Sequence, residues 1–322
     1  MIISMSQSEA FQSTLTDMAS AQGKFIGPLE VDSICEIKKV MDVQKKVFID
    51  FANSKAVMGP RAILTQNENA QFSYIARASE NGPTIVKFGS VIPSNEKRDL
   101  PVVQTTIAVL NQLTGSVDYF LDGESVTKWR TVAASMAAAK ELSNPVKTVG
   151  VIGLGHQGIA HIKAVKEIFS PKKIIGFARG DKNLDLDIEI SKDLGLVNQC
   201  DLIFVCTNSI SPVITSVLNP GTTCISIGSF APNRLEVSVE ALANADKVFG
   251  DDAKTISEQA GSVVSTLAIP KRKWDKPESI GELYNQRIKG RTTVDQVIYY
   301  FSVGLGIQDA AMAEFILQNG KF

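Results

Sequence analysis

The chain has 322 residues, 44% of them hydrophobic, and its 33 lysines and arginines against 34 acidic residues leave a formal charge of −1. That length exceeds one ordinary core and points to two domains, while the balanced charge supplies no field for nucleic acid or an anionic membrane, so a small-molecule partner is expected. Cys35, Cys200, Cys206 and Cys224 form no C-x-x-C pair, and no apolar run of about 18 residues occurs, so neither a metal site, a disulfide framework, a signal peptide nor a membrane span is indicated, and a reducing, cytoplasmic setting is expected.

The first two dozen residues are polar and mixed, and a loosely ordered start is expected there. Glu30 to Phe51 places Ile34, Ile37, Val40, Met41, Val47, Phe48 and Phe51 near helical spacing, which predicts one amphipathic helix lying on a sheet. Gly59-Pro60 breaks the pattern, and Arg61 opens the alternating run RAILT, a strand. Phe72–Ala76, Thr84–Phe88 and Val102–Leu110 come next as strands, with turn signals at Asn81-Gly82-Pro83 and around Pro93–Asn95. Ser125 to Leu142 is alanine-rich, carries Trp129, Val132, Met136 and Ala139 on one stripe, and ends before Asn144-Pro145; it predicts a long helix. Arg130 lies in the first turns of that helix, against the dipole preference, and a solvated side chain and a functional one both stay open.

Thr148 to Val165, TVGVIGLGHQGIAHIKAV, reads as strand, glycine turn and helix in immediate succession. Gly153, Gly155 and Gly158 keep the G-x-G-x-x-G spacing: the first permits the turn, the second lets a pyrophosphate approach the backbone, and the third lets helix and strand pack closely. Lys173–Phe177, Asp201–Cys206, Cys224–Gly228 and Lys247–Gly250 are short apolar runs that suit a buried parallel sheet. At the tip of the second strand the order Phe177-Ala178-Arg179 lacks the acid that binds ribose hydroxyls and offers a guanidinium instead, so NADP(H) is favoured over NAD(H). Asp181 is the counter-candidate. Gln296–Ser302 is a further strand, Gly304 and Gly306 read as a close strand-to-helix turn rather than a second phosphate cradle, and a helix spans about Gln308 to Leu317.

VKFGSVIP, DLPVV, LDGESVTKWRTVAAS, VGVIGLGHQGIAH, SIGSFAPNRLEV, IGELYNQRIKGRT and YFSVGLGIQDAAMAEF occur in this order and together resemble the ornithine cyclodeaminase and mu-crystallin family from about Arg61 onward. The resemblance implies an α/β homodimer: a Rossmann-type parallel-sheet domain over 126–304, and a β-rich α+β substrate-binding and dimerisation domain from 1–125 with 305–322. It implies that Arg61, Lys87 and Arg130 hold a substrate carboxylate, with Lys87 and Arg130 as the catalytic candidates and Phe230 and Val303 as further substrate contacts. On the cofactor side it implies Gly153, Gly155, His156, Gln157, Gly158, Arg179, Thr207, Asn208, Arg234 and Ser302. On pattern alone Lys87 reads as a snorkelling edge residue of a strand, a reading that the resemblance reverses. His156 lies inside the phosphate loop, which favours a backbone and packing role over proton transfer.

One departure separates activities. Cyclodeaminases of the family carry an aspartate in the segment that here reads Gly228-Ser229-Phe230-Ala231-Pro232, and a phenyl ring can neither take nor give a proton. Val102 also stands where a threonine is frequent after L-P. The expectation is therefore an NAD(P)H-dependent reductase or dehydrogenase acting on the C–N bond of an α-imino or amino acid. The alternatives are an ornithine or lysine cyclodeaminase using bound NAD and a non-catalytic, NADPH-regulated binding protein.

Overall fold

A computed structural model describes residues 23–180 and 184–322. The polar start up to residue 22 and the counter-candidate Asp181 lie outside the described residues. The next segment, Lys24–Ile26, forms β1 and pairs in parallel with β7 (Val117–Asp122).

The glycine fingerprint sits in the middle of an all-parallel sheet. Its strands are β8 (Thr148–Ile152), β9 (Lys173–Phe177), β10 (Glu189–Ser191), β11 (Leu202–Val205), β12 (Thr223–Ser226), β13 (Lys247–Gly250), β14 (Glu278–Ser279) and β15 (Ile298–Phe301). They lie in the order β10-β9-β8-β11-β12-β15-β13-β14. β11, β12 and β15 are buried along their whole length, which is why they read as unbroken apolar runs rather than alternating ones. The chain leaves β8 toward β9 and returns on the other side at β11, so the loop after β8 opens at the point where strand order reverses. The last strand, β15, inserts between β12 and β13, which delivers Ser302 to the centre of the C-terminal edge.

The second sheet is built from β1, β2 (Val57–Met58), β3 (Ala62–Gln66), β4 (Asn69–Arg77), β5 (Thr84–Val91), β6 (Val103–Leu110) and β7, in the order β1-β7-β6-β5-β4-β2, with β3 also paired to β4. β4 through β7 are antiparallel. Register sets Tyr74, Lys87 and Ile107 side by side on one face. That face is the inner one, since Lys87 is only 2% exposed and Ile107 is fully buried. The edge-residue reading of Lys87 is thus corrected: β5 is an interior strand, and period-two alternation aims Lys87 inward with Ile85.

The helix expected over 30–51 is two. α1 (Pro28–Ile34) and α2 (Ile37–Ala52) are separated by Cys35 and Glu36 in extended conformation. Val31, Cys35, Ile37 and Val40 are all buried, so the apolar spacing runs through the break without revealing it. α3 (Gly123–Leu142) starts where the Asp122 carboxylate accepts the Ser125 N–H at 2.8 Å. The expected stripe is instead burial all round: Thr131 through Ala139 are all buried. α3 contacts α2, the fingerprint helix α4 (His156–Ile168), β6 and β12, so it joins the two sheets, and its small side chains permit that close approach. Met136, fully buried there, would cost about 2–5 kcal/mol on truncation to alanine. The last helix, α5 (Gly306–Asn319), returns to cover β4 and β5. Among the described residues no helix is long and apolar enough to cross a membrane.

Candidate active site

The phosphate loop is shaped by two close approaches. Gly153 has φ +94, and a Cβ on it would lie 2.5 Å from the Cys206 carbonyl oxygen; a Cβ on Gly158 would lie 1.9 Å from the Gly153 oxygen. A Cβ on Gly155 would meet nothing within 4 Å beyond its chain neighbours, and α4 begins there with no side-chain cap on its N–H groups. An open, uncapped helix start with a backbone free of side chains fits a pyrophosphate. His156 begins that helix with its side chain 91% exposed, its Nδ1 3.4 Å from the Glu124 carboxylate, and Gln157 is half-buried behind it. Arg179 is exposed, two residues past the end of β9.

The loops after β11 and β12 are tied together by a residue that pattern reading misses. Glu236 is fully buried, and its carboxylate accepts from the Thr207 N–H, the Thr207 hydroxyl, the Ser226 hydroxyl and the Gly228 N–H, each at 2.7 Å. Burial raises its pKa, and these hydrogen bonds oppose the rise. The Thr207 side chain is therefore spent on orienting its own loop. Above this, Arg234 lays its guanidinium over the Phe230 ring, 4.6 Å from Cζ to centroid, and reaches the Asn208 carbonyl at 3.4 Å. Phe230 is half-buried beneath an arginine.

The three expected carboxylate-binding cations come from three separate elements and converge. Lys87 Nζ donates to Asp309 Oδ1 at 2.8 Å and to the hydroxyl of Thr127 on α3. Arg130, 12% exposed, brings Nε to 3.8 Å from the same Asp309 oxygen. Tyr74 donates its hydroxyl to the other Asp309 oxygen at 2.7 Å, and the Arg61 guanidinium lies over the Tyr74 ring at 5.4 Å. Arg61 Nη2 also donates to the Gly304 carbonyl at 3.0 Å. A Cβ on Gly304, whose φ is +79, would lie 2.7–2.8 Å from the two terminal nitrogens of Arg130, so that guanidinium rests directly on the glycine. Ser302 and Val303, 4% and 5% exposed, lead into this turn from β15.

Electrostatics explain why the cluster persists in a dry interior. Burial raises the Asp309 carboxyl, but Lys87, Arg130 and the hydrogen bonds from Lys87 and Tyr74 outweigh it and hold it below the usual carboxylate range. Burial lowers Lys87, and Asp309 opposes that loss. A second buried acid, Asp251, stands at the end of β13 beside the turn; burial raises it, and hydrogen bonds from Tyr300, Gly304 and Ser302, with the Arg130 charge, act against the rise. Asp309, Tyr74, Thr127, Asp251 and Glu236 are not singled out by the sequence patterns. Asp309 leaves one trace there: a lone carboxylate early in the apolar run GIQDAAMA has to be buried and paired.

A sequence model described as the ornithine cyclodeaminase/mu-crystallin family matches residues 25–321. The chain is 26% identical over 252 residues to a Delta(1)-pyrroline-2-carboxylate reductase of Bacillus cereus, covering 73% of this chain and 76% of that protein. Among solved structures it resembles Delta(1)-pyrroline-2-carboxylate reductase of Thermococcus litoralis, in complex with NADH and L-proline. The TM-score is 0.85 at 22% identity, over 92% of this chain and 97% of that one. It also resembles an archaeal alanine dehydrogenase dimer with bound NAD, at TM-score 0.84 and 26% identity, over 92% of this chain and 95% of that one.

Proposed function

This chain belongs to the ornithine cyclodeaminase/mu-crystallin family, and from that premise we propose that it is an NAD(P)-dependent oxidoreductase that reduces the C=N bond of an α-imino acid. The observation that carries this reading is the convergence of Arg61 and Arg130 on Gly304, with Lys87 and Arg130 meeting on the same Asp309 oxygen. The cluster lies just beyond the central strand of a sheet whose glycine loop fits a dinucleotide. Asp309 pairs with Lys87 and Arg130, while Arg61 has no carboxylate partner among the described contacts of the cluster, which suits one bound carboxylate.

The nicotinamide supplies a hydride when bound. The protein's part is placement: Arg61 and Arg130 hold the carboxylate, and Lys87, fixed by Asp309 and Thr127, stands on the same Asp309 oxygen as Arg130. Holding one end of a planar imino acid in place would supply part of the barrier through proximity, on the order of several kcal/mol. A protonated imine is already electrophilic and asks only for a hydride, a dry pocket and an anchored carboxylate. Phe230, covered by Arg234, offers no proton-transferring group, which favours reduction over cyclodeamination.

Arg179, exposed beyond β9, supports NADP(H) over NAD(H) as the preferred cofactor. The substrate is an amino or imino acid, and the working unit is a homodimer. Leu64, Ile75 and Phe88 lie 75%, 47% and 44% exposed on the outer face of the β3–β5 sheet, the face opposite Lys87, where a second copy would cover them. The test is loss of reduced-nicotinamide absorbance with NADPH and then NADH against cyclic imino acids and pairs of keto acid and amine. Consumption with an imino acid supports the reading. A flat trace with product formed from ornithine favours the lyase.

A further inference from the structure

Asp251 has no job in capping. Its neighbour Asp252 takes that one, accepting the Thr255 N–H at 2.9 Å at the start of the helix Ala253–Gln259. Asp251, 1% exposed, instead turns both carboxylate oxygens toward the chain that leaves β15. Oδ1 accepts the Tyr300 hydroxyl, while Oδ2 accepts the Ser302 hydroxyl at 3.1 Å and the Gly304 N–H at 2.8 Å. Gly304 is the residue on which both substrate-facing guanidiniums depend: its carbonyl accepts from Arg61, and its Cα is covered by Arg130. One residue thus meets the acid through its N–H, Arg61 through its carbonyl and Arg130 through its Cα face.

We propose that Asp251 is a positioning residue for the imino-acid carboxylate, acting through the Ser302–Gly304 turn on Arg61 and Arg130. It rests on the reading of those arginines as the carboxylate site. Proton transfer is not its role, because both of its oxygens are already occupied by donors from its own chain. A carboxylate suits the position: it has lone pairs for three donors where an amide has one oxygen, and it fixes the orientation of Gly304, a residue as free to leave φ +79 as to adopt it. The sequence places Asp251 directly after the apolar strand KVFG, 53 residues before the glycine it holds.

The test uses the full chain carrying Asp251→Asn and, separately, Gly304→Ala, with steady-state kinetics on an imino acid and dinucleotide binding followed by titration. Asp251→Asn keeps one acceptor oxygen and loses the other, and is expected to raise the imino-acid KM about tenfold or more while kcat changes less. Dinucleotide affinity should stay within about twofold. Gly304→Ala, whose methyl would meet the Arg130 nitrogens directly, is expected to show the same split and serves as the reference for a displaced Arg130, while Asp251→Glu, which keeps the charge but moves both oxygens, carries the test if Asp251→Asn does not fold. A KM unchanged in the folded Asp251 variant overturns the proposal. So does a parallel loss of dinucleotide affinity, which would make Asp251 a support of the cofactor loops. If the wild type reduces no imino acid, the functional reading fails separately, and pyrrole-2-carboxylate binding by calorimetry then decides. Wild-type binding lost in Asp251→Asn sustains the positioning role, and equal binding by both, or by neither, overturns it.

Discussion

Lys87 and Asp309 are 222 residues apart in sequence and 2.8 Å apart in space, both almost wholly buried, one on an interior strand and the other on the helix that covers it. Removing one partner strands the other charge in a low-dielectric interior, which costs about 3–5 kcal/mol. Asp309→Ala should lower the urea midpoint accordingly. The double change Lys87→Met with Asp309→Leu should recover part of that loss while leaving no turnover. A double variant no more stable than Asp309→Ala would mean the pair is not a coupled unit.

The same pair sets a pH dependence. The Asp309 carboxyl is held below its ordinary value, so between the folded value and the ordinary one of about 3.9 the unfolded chain binds more protons than the native one. Its contribution to stability is therefore complete above about pH 4 and is lost as the pH falls through the folded value. Denaturant unfolding between about pH 5 and pH 2.5 should show this slope in the wild type and a shallower one in Asp309→Asn.

A substitution at Arg130 tests whether it belongs to the substrate side or the cofactor side of the site. Arg130→Ala is expected to lower kcat/KM for the imino acid by about a hundredfold or more and to spare dinucleotide affinity. Arg130→Lys should restore little, since an ammonium lacks the planar fork that lies against Gly304. Equal loss of both affinities would place Arg130 in the cofactor site.

The proposed preference for NADPH is tested at Arg179. Arg179→Ala should reduce the NADPH-to-NADH ratio of kcat/KM by about tenfold or more, through NADPH alone. An unchanged ratio would remove Arg179 from the ribose end of the site.

The outer sheet face gives a prediction about assembly. Phe88→Glu places a charge on a patch that a second copy would bury, and sedimentation should show a dimeric wild type and a monomeric variant. Two monomeric samples would leave the face without its proposed partner.

Local patterning makes the glycine strand–turn–helix, most strands and α3 legible in the sequence, because each depends on neighbours a few residues away. The three cations are legible through resemblance rather than through pattern, since a lysine in a strand and an arginine in a helix look ordinary until the fold buries them. Their partners are less accessible still. Asp309, Asp251 and Glu236 act on residues as far as 222, 53 and 29 positions away; only Asp309 leaves a local trace, a lone carboxylate in an apolar run, and nothing local distinguishes Asp251 or Glu236 from a solvated acid. The insertion of β15 between β12 and β13, which brings Ser302 and Gly304 to the site, is likewise a property of topology. Phe230 reads from the sequence as a missing acid, and the structure adds the arginine lying over its ring.

If a held carboxylate makes this chain an imino-acid reductase, removing that carboxylate from the substrate should abolish most of the rate. The most direct measurement compares reduced-nicotinamide oxidation on Δ1-pyrroline-2-carboxylate and on Δ1-pyrroline, which differ only in that carboxylate. Rapid oxidation with the first, at least about a hundredfold slower with the second, is the predicted result. Equal rates on both, or no oxidation with the carboxylate-bearing imine while the bare imine reacts, would contradict it.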